Sequence, residues 1–235
     1  MMESSFQLKP VRFHKWGSTM ICKSISRLHH FEHIKALLGS EILLNTPKPK
    51  GLSISIDDGP NPYAHAMIKL FKRENISASF FVLATKVQQN PEIARCLLEE
   101  EHELCVHGYD HTIITDMTPD AFQRSLHRFD DVMREHNLPY KKIYRPPNGE
   151  IAPEYVEVLK AEGFQTVLWS LDSFDWEFNS KQIQAHFEQQ RDLHQLTLFH
   201  DGVIGGSPFS TLKSLVALIR LCKKKQIPIV PMNLG

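Results

Sequence analysis

The chain has 235 residues, of which 42% are hydrophobic and 23% charged, a composition typical of a globular protein with room for one large domain or two small ones. Its 27 basic and 27 acidic residues balance, which argues against nucleic acid or an anionic membrane surface as a partner. No apolar run approaches the roughly 18 residues that a transmembrane helix needs.

The N-terminal stretch, MMESSFQLKPVRFHKWGSTM, lacks the apolar core of about 7–15 residues that marks a secretory signal. We therefore predict a cytoplasmic protein. The cysteines form no CxxC pair, which argues against a disulfide scaffold or a structural zinc knot; they are Cys22, Cys96, Cys105 and Cys222. The 13 histidines are many for this length and favour metal or acid–base chemistry, with scattered surface histidines as the alternative.

Residues 1–50 differ from the remainder of the chain. Between residues 25 and 38, apolar side chains recur at close to helical spacing, and NTPKPKG at 45–51 is typical of a linker or an entry turn. We predict that residues 1–50 are a helical N-terminal addition of unknown role, packed on a main domain of residues 51–235.

From residue 51 onward, short β-rich runs alternate with helical segments. The predicted strands cover residues 51–57, 78–84, 102–108, 141–147, 164–172, 195–201 and 227–232. The predicted helices cover residues 62–75, 91–101, 118–137, 152–163, 179–192 and 210–226. This alternation indicates an α/β fold with parallel strands, either an open doubly wound sheet or a barrel. No GxGxxG follows the first strand, which argues against a dinucleotide-binding fold.

Polar side chains fall at or just past the carboxyl ends of these strands. They are Asp57, Asp58, His107, Arg145, Asp172, Asp175 and His200. Polar residues scattered at random would fall equally at the other ends. In α/β barrels the carboxyl face is where active sites are built, so this clustering predicts an active site there.

The segment HGYDH places His107 and His111 four residues apart. On one helical turn, this spacing puts both imidazoles on the same side, where they can bind a single cation. The pattern alone is weak, because two surface or capping histidines give it as well. No glutamate follows the first histidine, so it is not the HExxH motif of zinc peptidases.

The segment SIDDGP places Asp57 and Asp58 at the end of an apolar strand. Neighbouring side chains on a regular strand diverge, but the following Gly-Pro ends the strand geometry, so the two carboxylates can share a site. A catalytic zinc takes three protein ligands and leaves a place for water. The histidine pair and one aspartate would supply those ligands, and the other aspartate would be free to act as a base. An ordinary acidic turn is the alternative.

Two further regions add candidates. Arg145, in YRPPNGE, could hold a carboxylate in place, and the Pro-Pro-Asn-Gly turn could offer a backbone N–H to an oxyanion. The alternative there is a surface loop. In LWSLDSFDW and LTLFHDG, an aspartate near His200 would raise the pKa of its imidazole and keep it protonated, as a leaving amine requires. Here the alternatives are a core tryptophan and a histidine that caps a strand.

The segments SIDDGP, HGYDH, RPPNG, DSFDW and LFH follow one another in an order and spacing that resemble the polysaccharide deacetylase family, carbohydrate esterase family 4 with its NodB-homology domain. The stretch ASFFVLATKVQQNPEIARCLLEEEHELCVHGYDH is also similar to that family. The resemblance covers roughly residues 51–235, which it implies are the catalytic domain. It implies a distorted (β/α) barrel of about seven parallel strands that removes acetyl groups from sugars with the help of a metal.

The resemblance also implies a role for each residue. The metal ligands would be Asp58, His107 and His111. The catalytic residues would be Asp57 as base, Arg145 as the residue that orients it, His200 as acid and Asp175 as the partner of the acid. The substrate-facing residues would be Pro147, Asn148, Trp176 and Leu198. Within the last group, Trp176 and Leu198 resemble the walls of the acetyl pocket, and the backbone N–H of Asn148 resembles the oxyanion donor. The implied cofactor is a divalent metal, zinc, with cobalt or another divalent ion as alternatives.

The sequence departs from the family pattern in three ways. Gly108 stands where the family usually has serine or threonine, which removes a hydroxyl near the first metal histidine. Asn148 stands where the family usually has tyrosine, which changes the wall that faces the substrate. From the sequence we expect no export signal or membrane anchor, although many members of the family act outside the cell.

We therefore predict a hydrolase, a metal-dependent carbohydrate N-deacetylase whose partner is an N-acetylated sugar or polysaccharide. Nothing in the sequence indicates nucleic acid, a membrane span or an obligate protein partner. Two alternatives stay open: a deformylase or deacetylase of a small or lipid-linked intracellular sugar, and a catalytically silent carbohydrate-binding relative. A glycosidase with paired carboxylates is disfavoured, because the histidines would then have no role.

Overall fold

The computed structural model describes residues 42–43, 51–202 and 208–232. The strands are β1 (Ile42–Leu43), β2 (Ser55–Gly59), β3 (Ser79–Val82), β4 (Glu103–Val106), β5 (Ile143–Tyr144), β6 (Gln165–Val167), β7 (Leu171–Asp172) and β8 (Thr197–His200). The helices are α1 (Ala64–Glu74), α2 (Ala84–Gln89), α3 (Pro91–Glu99), α4 (Pro119–Glu135), α5 (Pro153–Ala161), α6 (Ser180–Glu188) and α7 (Pro208–Lys225). Within these described ranges, two 3₁₀ turns cover Ile114–Asp116 and Pro147–Gly149.

The strands form one parallel sheet in the order β1-β6-β5-β4-β3-β2-β8-β7. β6 and β7 lie near opposite ends of this order, yet only residues 168–170 separate them along the chain. A link of that length spans at most about 14 Å. The two margins of the sheet must therefore approach each other, and the sheet curls into a barrel. The prediction of a (β/α) barrel of about seven parallel strands is confirmed.

The two faces of the sheet have different neighbours, because successive side chains point to opposite faces. The outer face packs in the largest apolar cluster, which includes Ile56, Phe80, Val82, Leu104 and Val106. The inner face carries a smaller cluster of Phe81, Cys105, Ile143, Val167, Leu196 and Met232. Asp57 is in register with the inward-facing Phe81 on one side and with His200 on the other. The alternation therefore aims both polar side chains into the barrel.

Helix α4 shows how the sequence sets the outer layer. Its N-terminus is capped by Thr118, whose hydroxyl accepts the backbone N–H of Ala121, and Pro119 occupies the first helical position. Its buried side chains recur at helical spacing; they are Phe122, Leu126, Phe129, Val132 and Met133. The helix predicted over residues 118–137 is confirmed.

Two predicted strands differ from the structure, and one helix was not predicted. The expected strand over 164–172 is two strands, β6 and β7, because the chain crosses there from one margin of the sheet to the other. Residues 227–232 contribute only an isolated bridge between Ile229 and Leu52 instead of a strand. The helix α2 directly follows β3, where no helix was predicted.

The predicted N-terminal helical addition lies outside the described residues except for Ile42–Leu43. These two residues form β1, which pairs in parallel with β6, so they belong to the sheet. The predicted boundary at residue 50 stays a prediction. Within the part of the chain that the structure describes, none of the helices has the length and apolar character needed to cross a membrane.

Candidate active site

The two adjacent aspartates reach one site because β2 is irregular between them. The pairing of β2 with β3 shifts between Asp57 and Gly59, and Asp58 occupies this bulge with φ of 70°, a conformation that few residues other than glycine adopt. As a result, Asp57 Oδ2 lies 3.7 Å and Asp58 Oδ1 3.3 Å from Nε2 of His107. The bulge brings the carboxylates together, whereas the sequence suggested that the strand had already ended.

Asp57 is held by Arg145, and both side chains are buried. Nη1 of Arg145 donates to Asp57 Oδ1 over 2.7 Å and to Ser55 Oγ over 2.8 Å. Nη2 donates to the carbonyl oxygen of Leu168 over 3.0 Å. The guanidinium therefore fixes Oδ1 of Asp57 and leaves Oδ2 turned toward His107.

Asp58, His107 and His111 bring three ligand atoms within 4.8 Å of one another. Asp58 Oδ1 lies 3.3 Å from Nε2 of each histidine. Nδ1 of His107 lies 2.8 Å from the carbonyl oxygen of Arg145. Because a carbonyl only accepts hydrogen bonds, Nδ1 carries a proton, and Nε2 is the nitrogen that faces the cluster.

The prediction of a helical turn for HGYDH is wrong. Residues 107–113 form a loop without helical structure, in which Gly108 has φ of 110° and His111 has φ of 66°. These left-handed conformations fold the chain back on itself, so that the two imidazole centres lie 5.1 Å apart. The spacing of the histidines pointed to the right pair, but a loop rather than a helix joins them.

The cluster fits a divalent metal ion. Asp58 Oδ1 is buried and has no hydrogen-bond partner among the described residues, which is costly for a carboxylate unless a cation pairs with it. Burial would raise the pKa of Asp58, but the neighbouring histidines hold it well below its usual range, so the group is an anion. Ligand atoms about 2.1 Å from a tetrahedral zinc lie roughly 3.4 Å apart, close to the 3.3 Å separations here.

His200 ends β8 and is bound to Asp175, a buried residue in the loop after β7. Its Nδ1 lies 2.7 Å from Asp175 Oδ1, and its backbone N–H donates to Asp175 Oδ2 over 2.9 Å. Burial alone would lower the pKa of His200, but the charge and hydrogen bond of Asp175 outweigh it and raise the pKa to about 9. The imidazole is therefore protonated at neutral pH.

The turn expected to face the substrate lies next to the first histidine. Pro147 is buried, and its Cγ lies 4.0 Å from the point where a Cβ on Gly108 would stand. Asn148 is exposed at the tip of the 3₁₀ turn with φ of 57°. The rigid prolines thus hold the backbone of Asn148 in an outward-facing, left-handed conformation.

The predicted apolar walls differ in their surroundings. Leu198 is buried in a small cluster with Trp169, Leu168 and Val156. It precedes His200 by two residues on β8, so both side chains point to the same face. Trp176 is half-buried, and its ring centre lies 6.1 Å from that of Phe174.

Sequence reasoning missed the polar residues that hold these groups in place. Ser55 lies two residues before Asp57 on the same face of β2, which was a usable signal. Thr211 of α7 donates from Oγ1 to Asp175 Oδ2 over 2.9 Å; its signal was a hydroxyl residue within a buried helical stripe. Asn61, in the turn after β2, donates from Nδ2 to the carbonyl of Asp58 over 3.2 Å.

Hydrogen bonds between Asn61 and Asp201 join the turn after β2 to the end of β8. The backbone N–H of Asn61 donates to Asp201 Oδ2 over 2.6 Å, and the side-chain amide of Asn61 donates to the Asp201 carbonyl. Burial raises the pKa of Asp201 to about 7. The carboxyl group of Asp201, at the end of β8, thus binds the turn after β2.

Comparison with known proteins agrees with this geometry. Residues 44–167, more than half of the chain, match the family model described as polysaccharide deacetylase. The chain belongs to the polysaccharide deacetylase family. The predicted family is thereby confirmed, and with it the predicted enzyme class, a hydrolase of the carbohydrate N-deacetylase type.

Individual relatives cover more of the chain. A peptidoglycan-N-acetylglucosamine deacetylase of Bacillus cereus is 28% identical over 183 residues, which cover 75% of this chain and 83% of the relative. Among solved structures, a peptidoglycan N-acetylglucosamine deacetylase superposes with a TM-score of 0.77 at 21% identity, covering 86% of this chain and 94% of that one. A family 4 pseudoenzyme from Bacillus anthracis superposes with a TM-score of 0.69 at 19% identity, covering 78% and 64%. At these identities the two structures show the fold alone.

Proposed function

We propose that the protein is a metal-dependent N-deacetylase of amino sugars or their polymers. One observation carries the proposal. A three-ligand cluster, a carboxylate fixed by a buried arginine and a protonated histidine fixed by a buried aspartate lie at the carboxyl ends of adjoining strands. Together these groups can hydrolyse an amide, because they offer a metal site, a base for the attacking water and an acid for the leaving amine.

Asp58, His107 and His111 would hold the ion. A divalent cation bound there would polarise the acyl carbonyl and lower the pKa of a water molecule. Zinc suits two imidazoles and one carboxylate, and cobalt accepts the same ligands. The roles of the surrounding side chains follow from their own contacts.

Asp57 is the proposed base. Its Oδ1 is occupied by Arg145, so its Oδ2 is the oxygen available to take a proton from the attacking water. Arg145 also prevents the carboxylate from rotating away, because it is bonded at the same time to Ser55 and Leu168. The water oxygen then forms a bond to the acyl carbon.

His200 is the proposed acid. Its Nδ1 is bonded to Asp175, so Nε2 is the nitrogen that gives its proton to the departing amine as the C–N bond breaks. The products are acetate and the free amino sugar. The backbone N–H of Asn148, at the exposed tip of its turn, would donate to the developing oxyanion.

The substrate class rests on the relatives and on the apolar neighbours of the acid. The Bacillus cereus relative is named for N-acetylglucosamine in peptidoglycan. Leu198 and Trp176 would form the walls around the acetyl methyl group. The size of the substrate, the identity of its acyl group and the cytoplasmic location stay predictions.

A catalytically silent role is the alternative that most needs a test, since one similar structure is described as a pseudoenzyme. The three ligand side chains are present in this chain, and the proposed base and acid each have a buried partner that orients them. This completeness favours an active enzyme.

The direct test is acetate release from N-acetylglucosamine and its oligomers after removal of metal and restoration with zinc or cobalt. We expect release only with restored metal, and a panel of N-formyl and N-acetyl substrates, as monomers and polymers, would identify the acceptor. A folded, metal-loaded protein that releases no acyl group from any of these sugars would contradict the proposal.

A further inference from the structure

Thr211, in the first turn of α7, is a buried hydroxyl residue aimed at the acid side of the site. Its side chain is inaccessible to solvent, and its Oγ1 donates to Asp175 Oδ2 over 2.9 Å. The other buried residues of α7 with which it aligns include Ser214, Leu215, Leu218 and Cys222. A hydroxyl is costly in such a stripe unless it is hydrogen-bonded, and the carboxylate of Asp175 provides that bond.

The bond to Thr211 differs in kind from the other bonds that Asp175 accepts. Among the described residues, the carboxylate has three donors: Nδ1 and the backbone N–H of His200, and the hydroxyl of Thr211. Two of these belong to the residue that Asp175 is meant to orient. Thr211 is therefore the donor that fixes the carboxylate from outside the Asp175–His200 pair.

The geometry also assigns the two oxygens of Asp175 different tasks. Oδ1 bonds to the ring of His200, while Oδ2 bonds to Thr211 and to the backbone. Without the hydroxyl, Oδ2 keeps a single donor and the carboxylate is freer to rotate about its terminal torsion. Rotation would misdirect Oδ1 and, with it, the imidazole.

We propose that Thr211 is a positioning residue for the acid: its hydroxyl holds Asp175 so that His200 presents its proton to the leaving amine. The inference rests on the proposed function of His200 and goes beyond it, because it brings a helix outside the family-matched residues 44–167 into the catalytic arrangement. A purely structural hydroxyl would contribute to stability and leave catalysis unchanged.

The variants that separate these roles are nearly isosteric. Thr211→Val keeps the shape and removes the hydroxyl, while Thr211→Ser keeps the hydroxyl. Ser214→Ala is the matched control, because Ser214 is also buried in α7 but donates to the carbonyl of Ser210 within the helix. We expect Thr211→Val to lower kcat on an N-acetyl amino sugar about tenfold with KM changed less than about twofold. Thr211→Ser should give a kcat within about threefold of the parent value. Ser214→Ala should also leave kcat within that range.

The leaving group provides the sharper readout. An amine must be protonated as it departs, whereas 4-nitrophenolate leaves without a proton from the enzyme. If Thr211 acts through the acid, the tenfold defect of Thr211→Val on the amide should nearly disappear on 4-nitrophenyl acetate. Equal defects on both substrates, or an unchanged kcat on the amide, would overturn the inference.

A second measurement does not depend on turnover. In the parent, the Nδ1 proton of His200 bonded to a buried carboxylate should give a downfield proton resonance, which His200→Gln removes and thereby assigns. We expect Thr211→Val to shift or broaden this resonance and Ser214→Ala to leave it unchanged. If the parent lacked activity on every acylated substrate, the proposed function would fail, whereas the Thr211 bond would still be confirmed or refuted by this spectrum.

Discussion

The base and the acid of the proposed site are held in different ways. Asp57 is fixed by Arg145 and, through it, by Ser55, all of which lie on or directly after strands of the sheet. His200 also ends a strand, but its partner Asp175 comes from a loop and Thr211 from a helix. The base side is therefore built by the sheet alone, whereas the acid side needs three kinds of element.

The Asp57–Arg145 and Asp175–His200 pairs also differ in the charge that a substitution of one partner leaves behind. Arg145 is inaccessible to solvent and keeps its charge at any ordinary pH, so removing either member of its pair leaves a buried charge. The side chain of His200 is 16% exposed and can lose its proton. We conclude that the base side is more rigid and less tolerant of substitution than the acid side.

The largest expected effect is on the base side. Asp57→Asn keeps an oxygen that can accept from Arg145 but cannot take a proton, so we expect acetate release to fall by about 10³-fold or more. Metal content, measured by elemental analysis, should be unchanged because Asp58 and the histidines remain. Asp131→Asn, on the exposed face of α4, is the matched control and should behave as the parent. A comparable rate for Asp57→Asn would remove Asp57 from the role of base.

Arg145→Met tests the rigidity of the base side through stability. The substitution leaves the buried carboxylate of Asp57 without its cation, and we expect the free energy of unfolding to fall by about 3–5 kcal/mol. Urea denaturation of the metal-free protein measures this change. If Asp175→Asn proved the more destabilising variant, the comparison between the two sides would be reversed.

Asp175→Asn tests the acid side through pH. The His200 pKa is raised to about 9, so its acid form is present at lower pH and is lost as pH rises through that value. Removing the charge of Asp175 leaves burial, which lowers the pKa of His200, against the smaller upward effects of the Asp58 and Asp57 charges. We expect the alkaline limb of the kcat profile to move to lower pH, toward or below the ordinary histidine value of 6.5. An unmoved alkaline limb would show that His200 does not set it.

The smallest expected effect concerns the loop between the two histidines. Gly108 has φ of 110°, and a Cβ there would meet only Tyr144 Oη at 3.7 Å and Pro147 Cγ at 4.0 Å. Gly108→Ala should therefore cost about 1–2 kcal/mol through backbone strain rather than through collision. Thermal unfolding measures the loss. A stabilised variant would mean that the loop adopts another conformation in solution.

The composition of the site was largely predictable from the sequence because reactive residues at strand ends are forced to one edge of a parallel barrel. The two histidines and one of the two aspartates could be grouped from their spacing and placement, the resemblance to the family singled out Asp58, and the structure brings Asp58, His107 and His111 together. The roles of these residues remain proposals. What the sequence could not show was how neighbouring aspartates converge, since a bulge at Asp58 has no residue signature.

The supports of the site escaped prediction for a different reason. Ser55 and Thr211 carry neutral hydroxyls, which occur equally in strands, helices and caps, so their residue type names no partner. Their function depends on contacts 90 residues away for Ser55 and 36 residues away for Thr211. The split between β6 and β7 was missed similarly, because the closure of a barrel is a long-range property that local apolar patterning does not record.

The most direct measurement compares His200→Ala with Asp57→Asn on two substrates, an N-acetyl amino sugar and 4-nitrophenyl acetate, in metal-loaded protein. If the base activates water and the acid serves only the leaving amine, Asp57→Asn should lose activity on both substrates. His200→Ala should lose it on the amide while staying within about threefold of the parent on the ester. Equal losses of His200→Ala on both substrates would contradict the division of labour between the two sides.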